Sequence, residues 1–355
     1  MKVTKEMGVK LPSTTITRYD PIALDVLKAP FSLHGFHEPF IRVPADVAKN
    51  TSERVELLGR VNTGGRVRFR TDSDFIAIHA VFGYGEYLDK LSDASFDMNF
   101  YKDGKFTYGG LFLPSAEGAA EGYHESRVMC SSEMKDVIIN FPISSQVTEM
   151  YVILREGCEI CEATPYKYET PIVFYGSSIV HGACASRPGM NYPSIVSRLL
   201  DSDIRNIGFG GAAHAEPAII DYIKNLPMSV VVYDYDHNAP NPEYLAETHK
   251  RGFDIIRAAH PDIPIILITR PNVATNPSKA EERKKIIIDT YRAALDAGDR
   301  HVYYIDGESF FLGMEGESDF VIDGVHPNDT GYYLMAEGIG NTIIQAIERK
   351  GGSLE

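Results

Sequence analysis

The amino-acid sequence predicts two domains: an all-β sandwich or jelly roll over residues 1–165, and an α/β domain over residues 166–355. Two observations lead to this prediction. Before residue 165 the apolar residues fall in short runs separated by turn residues, which is typical of antiparallel β-structure. After residue 165 apolar runs alternate with longer helix-like stretches, which predicts a five-stranded parallel sheet flanked by helices on both faces. A length of 355 residues is ample for two such domains.

Short strand-like runs fill the first half of the chain. Residues 66–70 (RVRFR) alternate polar and apolar side chains directly after Gly64-Gly65, as in a strand with one buried face. Asp103-Gly104 stands between two aromatic runs and predicts a tight hairpin turn. Further predicted strands cover residues 75–82, 137–141 and 150–154. Many short strands of this kind favour a β-sandwich or jelly roll.

Strand-like and helix-like segments alternate in the second half. The predicted strands cover residues 172–175, 204–207, 230–235, 263–269 and 301–305. The predicted helices lie near residues 192–200, 215–225, 243–259, 278–296 and 330–348. The segment from Cys158 to Pro171, which also carries Pro165, lies between the two patterns and is the predicted joint between the domains.

The chain is acidic, with 35 Lys and Arg against 49 Asp and Glu and a formal net charge of −14. This balance argues against nucleic acid and against an anionic membrane surface as partners. The first fifteen residues lack the apolar stretch of a signal peptide, and the longest apolar runs, such as Ile263 to Ile268, are too short to span a bilayer. We therefore expect a cytoplasmic protein without nucleic-acid or membrane partners, and a homo-oligomer stays open.

Two of the four cysteines, Cys158 and Cys161, form a C-x-x-C pair. A zinc site would need two more ligands at suitable spacing, and a redox pair would need a helix that begins after a strand. Ordinary reduced thiols are therefore the favoured interpretation, although zinc and redox roles stay open.

Residues suited to acyl transfer follow several predicted strands, at the end where α/β sheets bind ligands. Ser178 follows the first strand in a glycine-bracketed turn (GSSIVHG), which would expose its hydroxyl beside unpaired helix amides. Gly211 follows the second strand, where it can point a backbone amide inward. Asn238 follows the third and offers a side-chain donor. Taken singly, each residue fits a structural role equally well: Ser178 as a helix cap, Gly211 as part of a flexible connection, and Asn238 as a turn residue.

Asp323 and His326 stand in D-x-x-H spacing after the fifth predicted strand. An Asp at this spacing can turn back onto the imidazole, fix its tautomer and stabilise the imidazolium. A lone D-x-x-H is equally compatible with a structural pair. Together with Ser178, Gly211 and Asn238, however, it supplies a nucleophile, a base, an orienting carboxylate and three oxyanion donors, counting the amide of Ser178 itself.

With these motifs, residues 171–348 resemble the SGNH (GDSL-like) hydrolases. In this resemblance Ser178, Asp323 and His326 match the catalytic triad of that family, and Gly211 and Asn238 match its oxyanion residues. The resemblance implies the flavodoxin-like fold of the family. The segments YGSSIVHGACASRPGMNYP and GGRVRFRTDS resemble its two-domain subfamily, whose N-terminal β-sandwich is similar to carbohydrate-binding modules.

Two positions depart from the family pattern. The Asp that usually precedes the nucleophile is Ser177 here, and Ala212 stands where many members carry Asp or Asn. Neither change removes a catalytic group, so they bear on substrate fit more than on the chemistry. The α/β-hydrolase fold is disfavoured, because its G-x-S-x-G turn requires glycine where Val180 stands.

Other polar residues near the site segments are weaker candidates. His181, Arg187, His214 and Arg270 are candidate substrate-binding residues, each with a structural histidine or ion pair as the alternative. His237 is interpreted as a packing residue.

The combined motifs predict a serine carboxylic-ester hydrolase that works through an acyl-enzyme and needs no metal or organic cofactor. The expected partner is a small-molecule or oligosaccharide ester, with a short acyl group such as acetate on a carbohydrate or similar polyhydroxy compound. An acyltransferase using the same triad is the nearest alternative. A non-catalytic carbohydrate-binding protein with an inactive hydrolase domain is the alternative from another class.

Overall fold

The structure is a computed structural model, and it describes residues 1–11, 14, 16, 21–85, 91–113, 123–271, 273, 275–312 and 317–349. These residues form two compact units. The first consists of Met1–Arg42, Arg60–Pro165 and Arg187–Gly189. The second consists of Val43–Gly59, Tyr166–Ser186 and the chain from Met190 onward.

The predicted boundary between residues 165 and 166 differs from this division in two places. Residues 43–59 precede the boundary but belong to the second unit, where they form helices α1 (Ala45–Thr51) and α2 (Glu53–Leu58). Residues 187–189 follow the boundary but belong to the first unit. Both exchanges depend on contacts between residues far apart in sequence, which a change in local pattern does not reveal.

Among its described residues, the first unit contains ten strands and the short helix α3 (Leu91–Ala94). The strands are β1 (Pro21–Asp25), β2 (Ser32–His34), β3 (Arg66–Thr71), β4 (Phe75–Gly85), β5 (Phe96–Lys102), β6 (Lys105–Phe112), β7 (Tyr123–Met129), β8 (Lys135–Asn140), β9 (Ser145–Arg155) and β10 (Ile160–Cys161).

These strands form two antiparallel sheets with the orders β1-β9-β4-β7 and β10-β3-β8-β5-β6, and β2 pairs with β3. The pairs β1–β9, β3–β8 and β4–β7 are nested around the β5–β6 hairpin. Nested pairing shared between two sheets is the jelly-roll arrangement. The prediction of an all-β sandwich or jelly roll is therefore confirmed, with jelly-roll connectivity.

Alternation along the strands supplies the core of the jelly roll. Val67 and Phe69 of β3 are fully buried among the apolar side chains of both sheets. The β5–β6 hairpin turns at Asp103 and Gly104, with φ angles of 51° and 73°. Positive φ at both central residues is the type I′ geometry that an Asp-Gly turn favours, so the predicted hairpin is confirmed.

The second unit has a five-stranded parallel sheet with helices packed against it. Its strands are β11 (Tyr168–Gly176), β12 (Ser202–Gly208), β13 (Val230–Asp234), β14 (Ile265–Ile268) and β15 (Val302–Ile305). Besides α1 and α2, its helices are α4 (Ser178–His181), α5 (Tyr192–Leu200), α6 (Pro217–Ile223), α7 (Pro242–Ala259), α8 (Ala280–Asp296) and α9 (Asp329–Arg349). Short 3₁₀ helices occur in both units of the chain, at Lys5–Met7, Pro188–Met190, Asp236–Asn238, Gly307–Phe310 and Glu317–Phe320.

The strand order of this sheet is β12-β11-β13-β14-β15, which is 2-1-3-4-5 in order of appearance. This is the flavodoxin-like order that was predicted. The side on which successive strands are added to the sheet reverses between β11 and β13, and a crevice opens at the carboxyl ends of strands at such a switch point. Ser178 and Asn238 follow these two strands, so the topology brings the segments that carry them to the same edge of the sheet.

Burial accounts for the stability of this sheet. The strand residues Val173, Val231 and Ile265 are fully buried in one core with α6, and residues 43–58 contribute to the same core. None of the four cysteines, all of which lie in described residues, forms a disulfide; Cys158 is buried and Cys161 is partly exposed on β10. No helix among the described residues is long and apolar enough to cross a bilayer.

Candidate active site

A tight turn after β11 presents the candidate nucleophile. Gly176 ends the strand, and a side chain there would collide with the backbone of β13, because an added Cβ would lie 2.0 Å from the carbonyl oxygen of Asp234. Ser177 is completely buried and caps α4, since its hydroxyl accepts from the backbone N–H of Ile179 at 3.2 Å. Ser178 is the first residue of α4 and is only partly buried. The two adjacent serines therefore have different positions: one is a cap and the other faces the crevice.

His326 joins Ser178 to Asp323. Its Nε2 lies 2.8 Å from Ser178 Oγ, and its Nδ1 lies 2.7 Å from Asp323 Oδ2. The other carboxylate oxygen of Asp323 accepts from the backbone N–H groups of Val325 and His326, at 3.0 and 2.8 Å. Gly324 takes a φ of 79° in the turn between the acid and the base. The structure thus brings together the three residues that the sequence assigns to the triad.

The charge on Asp323 is stabilised by this turn. Partial burial acts to raise its pKa, but hydrogen bonds from the backbone and side chain of His326 and from the backbone of Val325 outweigh it and lower the pKa to about 2. The carboxylate therefore stays ionised over the pH range in which most enzymes work. The Asp323 side chain is 49% exposed and that of His326 is 23% exposed, so the pair is open to solvent.

The candidate oxyanion residues lie on the loops after β12 and β13. Asn238 Oδ1 accepts from the backbone N–H of Ala213 at 3.2 Å, so its carbonyl oxygen is bound and its NH₂ group is the end left to donate. Gly211 takes a φ of 73°, and a Cβ there would have open space around it. Its neighbour Gly210 lies near the nucleophile, since an added Cβ there would be 3.8 Å from Ser178 Cβ.

A buried ionic cluster supports the loop that carries Asn238. Asp236 is 1% exposed and pairs with Arg270 at 3.4 Å and with Arg283 at 3.2 Å. Arg283 also donates to the carbonyl oxygens of Asp236 and Ala239 at 2.7 and 2.8 Å. Burial acts to raise the pKa of Asp236, but the cations around it, Arg270 first, lower it below its ordinary value. Both arginines therefore hold the loop by charge-assisted hydrogen bonds.

Residues 169–344 match the GDSL-like lipase/acylhydrolase family. The second unit belongs to this family. Because GDSL-like enzymes of this type are serine esterases, the protein is a serine esterase. No curated protein sequence matches the chain significantly.

Solved structures resemble the GDSL-like chain over both of its units. A protein described as a GDSL-like lipase from Bacteroides ovatus has a TM-score of 0.82 at 22% identity, over 92% of this chain and 98% of its own. A salicylyl-acyltransferase from a tetracycline biosynthetic pathway has a TM-score of 0.74 at 19% identity, over 94% and 99%. A family two carbohydrate esterase from Clostridium thermocellum, in complex with cellohexaose, has a TM-score of 0.61 at 16% identity, over 81% and 94%. At these identities the likeness establishes the shared fold.

The four predicted substrate-binding residues of the GDSL-like esterase take different positions. Arg270 is 5% exposed and committed to Asp236, so the structural alternative holds for it. His181 is also 5% exposed, and its Nδ1 lies 3.1 Å from the carbonyl oxygen of Gly208. The expectation that these two residues contact substrate conflicts with their burial.

Arg187 belongs to the jelly-roll unit. It forms an ion pair with the fully buried Asp97 and lies over the ring of Tyr108, 4.1 Å from the ring centroid. Asp97 also accepts from the backbone N–H of Gly189 at 2.9 Å. Arg187 therefore anchors residues 187–189 in that unit. Its structural ion pair is the alternative to the predicted substrate contact.

His214 is the predicted substrate-binding residue that stays accessible, with 30% of its side chain exposed. It lies on the loop after β12, with its Nδ1 3.7 Å from Glu216 and its ring in a T-shaped contact with the ring of Tyr244. His237, next to Asn238, is held neutral, because burial and then the charge of Arg270 lower its pKa to about 3.

One group beside the triad was not predicted. Cys184 lies so close that its sulfur, a carboxylate oxygen of Asp323 and a ring nitrogen of His326 are all within 4.8 Å of one another. Five residues separate Cys184 from Ser178, and nothing in that spacing distinguishes the cysteine from an ordinary thiol.

Proposed function

We propose that this serine esterase removes short acyl groups, most simply acetate, from a carbohydrate or similar polyhydroxy compound through an acyl-enzyme on Ser178. The observation that carries the proposal is the continuous hydrogen-bonded relay from Ser178 through His326 to Asp323, with distances of 2.8 and 2.7 Å. Nucleophile–base and base–carboxylate contacts of this length are the geometry that acyl transfer requires.

The first half of the reaction follows from this relay. The Nδ1–H of His326 donates to the ionised Asp323, which leaves Nε2 as the acceptor for the proton of Ser178. As Ser178 Oγ forms its bond to the ester carbonyl carbon, its proton moves to Nε2 and the carbonyl oxygen becomes an oxyanion. The backbone N–H groups of Ser178 and Gly211 and the NH₂ group of Asn238 would donate to that oxygen.

The second half returns the enzyme to its starting state. The tetrahedral intermediate collapses when its C–O bond to the alcohol breaks, and His326 gives the proton from Nε2 to the departing alkoxide. A water then loses a proton to His326 and attacks the acyl carbon. The acid leaves Ser178, which recovers its proton from His326. Each step uses the same base, so no other titrating group is needed.

The exposure of the site supports a polyhydroxy alcohol. With 49% of Asp323 and 23% of His326 exposed, the relay is open to solvent rather than enclosed in an apolar tunnel. Asn238 and the accessible His214 lie on the segments after β13 and β12, which reach the same edge of the sheet as Ser178. The fold similarity to a carbohydrate esterase in complex with cellohexaose agrees with this substrate class, as analogy.

An acyltransferase is the second candidate, favoured by the fold similarity to the salicylyl-acyltransferase. The same acyl-enzyme would then pass its acyl group to an alcohol other than water. The triad and oxyanion donors are identical in the two cases, so the acceptor distinguishes them.

Substrate profiling tests the proposal. A chain-length series of nitrophenyl esters should give the highest kcat/KM with acetate, falling steeply beyond about four carbons as the acyl pocket fills. Acetylated xylo- and gluco-oligosaccharides should release acetate, and a Ser178→Ala sample serves as the matched control for uncatalysed release. A preference for eight carbons or more, with no acetate released from any sugar, would exclude this substrate class. Acyl transfer that outpaces hydrolysis when alcohols are added would favour the acyltransferase.

A further inference from the structure

A thiol, an imidazole and a carboxylate meet at the edge of the triad. The Sγ atom of Cys184 and the ligand atoms of Asp323 and His326 lie within 4.8 Å of one another. Among the described residues, this is the one cluster of three such groups close enough to share a metal ion. Sulfur, nitrogen and oxygen donors together are the set that Zn²⁺ and related thiophilic cations prefer.

The backbone on both sides of Cys184 is fixed to the segments that carry the triad. The Ala183 backbone N–H donates to the carbonyl oxygen of Ser178 at 2.9 Å, and the Ala183 carbonyl oxygen accepts from the hydroxyl of Tyr332 at 2.7 Å. Two residues on, the backbone N–H of Ser186 donates to Asp329 at 2.8 Å. Asp329 and Tyr332 begin α9, directly after His326. The thiol is thus held beside the imidazole by contacts to both neighbouring segments.

We propose that Cys184, Asp323 and His326 form an inhibitory site for a thiophilic divalent cation, with Zn²⁺ as the representative. The cation binds the Cys184 thiolate, one imidazole nitrogen and one carboxylate oxygen, and a water fills the fourth position. The thiol proton is released to solvent, so binding exchanges one proton for the cation. Bonds of about 2.0–2.3 Å place the ligand atoms of tetrahedral zinc about 3.3–3.6 Å apart, so a pair of ligand atoms at the 4.8 Å limit has to approach by about 1.2–1.5 Å.

Inhibition follows whichever imidazole nitrogen is used. Nδ1 is bonded to Asp323 and Nε2 to Ser178, so a cation on either nitrogen breaks one of the two contacts of the relay. A cation on Nε2 occupies the lone pair that would accept the Ser178 proton. A cation on Nδ1 and Asp323 removes the carboxylate contact that orients His326 as a base. This consequence rests on the proposed function, whereas binding itself rests on the three ligand groups alone.

Two readouts on the same samples test the site. Titration with Co²⁺ should give the near-ultraviolet thiolate-to-cobalt charge-transfer band, and Zn²⁺ should inhibit nitrophenyl acetate hydrolysis reversibly at micromolar concentration, with recovery on EDTA. Cys184→Ala should lose the band and need at least about tenfold more Zn²⁺ for half-inhibition. Alanine tolerates the φ of 70° at this position as well as cysteine does, so folding should be retained. Cys161→Ala, which removes a thiol of the C-x-x-C pair, is the matched control and should behave as wild type.

The outcomes separate the two proposals. Equal Zn²⁺ sensitivity and an unchanged cobalt band in Cys184→Ala would overturn the metal site while leaving the esterase mechanism intact. A cobalt band that depends on Cys184, in a protein that hydrolyses no ester, would support the metal site and overturn the proposed function. Loss of the cobalt band and of the Zn²⁺ inhibition in Cys161→Ala, with both retained in Cys184→Ala, would place the cation at the C-x-x-C pair. This result would also overturn the site at Cys184.

Discussion

Two polar clusters follow the strands of the parallel sheet, and they differ in burial. In the first, Ser178, His326 and Asp323 form a relay whose acid and base are 49% and 23% exposed. In the second, the side chain of Asp236 is 1% exposed, and the side chains of its partners Arg270 and Arg283 are 6% and 8% exposed. Both clusters contain an aspartate that holds a cationic or basic partner.

This difference in burial indicates that the two clusters have different roles. The open relay keeps its reactive atoms accessible to a substrate, and a half-exposed Asp–His contact can rearrange as the reaction proceeds. The buried cluster has its charges neutralised by one another, and removing any member would leave an uncompensated charge in the interior. It therefore fixes the loop with Asn238, while the open relay is the cluster that we propose carries the chemistry.

The largest expected effect is on the open cluster, through Asp323→Asn. The amide would present its NH₂ group to Nδ1 of His326, which would move the ring proton to Nε2 and remove the acceptor for the Ser178 proton. We expect kcat to fall by about 10⁴ with the fold intact. Asp319→Asn, a nearby exposed aspartate, is the control and should keep wild-type kcat. A loss of less than about tenfold in Asp323→Asn would remove Asp323 from the triad.

The buried cluster should respond in stability instead. Asp236→Asn leaves the Arg270 and Arg283 guanidinium groups without their countercharge, so we expect the free energy of unfolding to fall by about 3–5 kcal/mol. Asp254→Asn breaks the exposed pair with Lys250 and should cost at most about 1 kcal/mol. Urea unfolding of the two variants measures the contrast. Equal losses would mean that burial does not distinguish the clusters.

Asn238→Ala examines the link between the two clusters, because the buried one positions this side chain. Loss of one oxyanion donor typically lowers kcat by about 10²–10³. Asn225→Ala, whose side chain makes an exposed contact to the Asp221 carbonyl oxygen, is the matched control with no expected effect. A kcat within about twofold of wild type would make Asn238 a turn residue only.

The smallest expected effect concerns buried histidine. Burial lowers the pKa of His249 to about 4, below an ordinary value of 6.5. Because the unfolded chain binds this proton more readily, its contribution to stability is complete above about pH 6.5 and is lost as the pH falls toward 4. The expected slope is about 1.4 kcal/mol per pH unit. His249→Gln should flatten the dependence of unfolding free energy on pH by that amount, and an unchanged slope would refute the assignment.

Local patterns were sufficient to predict the five parallel strands, the five longer helices of the second unit and the residues of the hydrogen-bonded relay, but not the first strands of the jelly roll or helices α1 and α2. Strand and helix residues alternate visibly after residue 165, and the residues that follow parallel strands necessarily meet at one edge of the sheet. The D-x-x-H spacing of Asp323 and His326 is a local turn, so its geometry is also contained in the sequence.

Contacts between distant segments were not predictable in this way. Residues 43–59 pack in the second unit although they lie among the jelly-roll strands, and Arg187 pairs with Asp97, ninety residues away. Arg270 follows a strand as the catalytic residues do, but its buried partner, Asp236, lies on another loop. Cys184 reaches the triad because Tyr332 and Asp329 anchor its neighbours. Each of these depends on which side chains become buried together.

Peptide mapping after fluorophosphonate labelling tests the central claim most directly. Ser177 is fully buried as the cap of α4, whereas Ser178 lies 2.8 Å from the Nε2 of its base. The adduct should map to Ser178, disappear in Ser178→Ala and persist in Ser177→Ala, which should lose only about 0.5–2 kcal/mol of stability through its missing cap. An adduct on Ser177, or labelling that survives Ser178→Ala, would contradict the assignment of Ser178 as the nucleophile of an exposed catalytic relay.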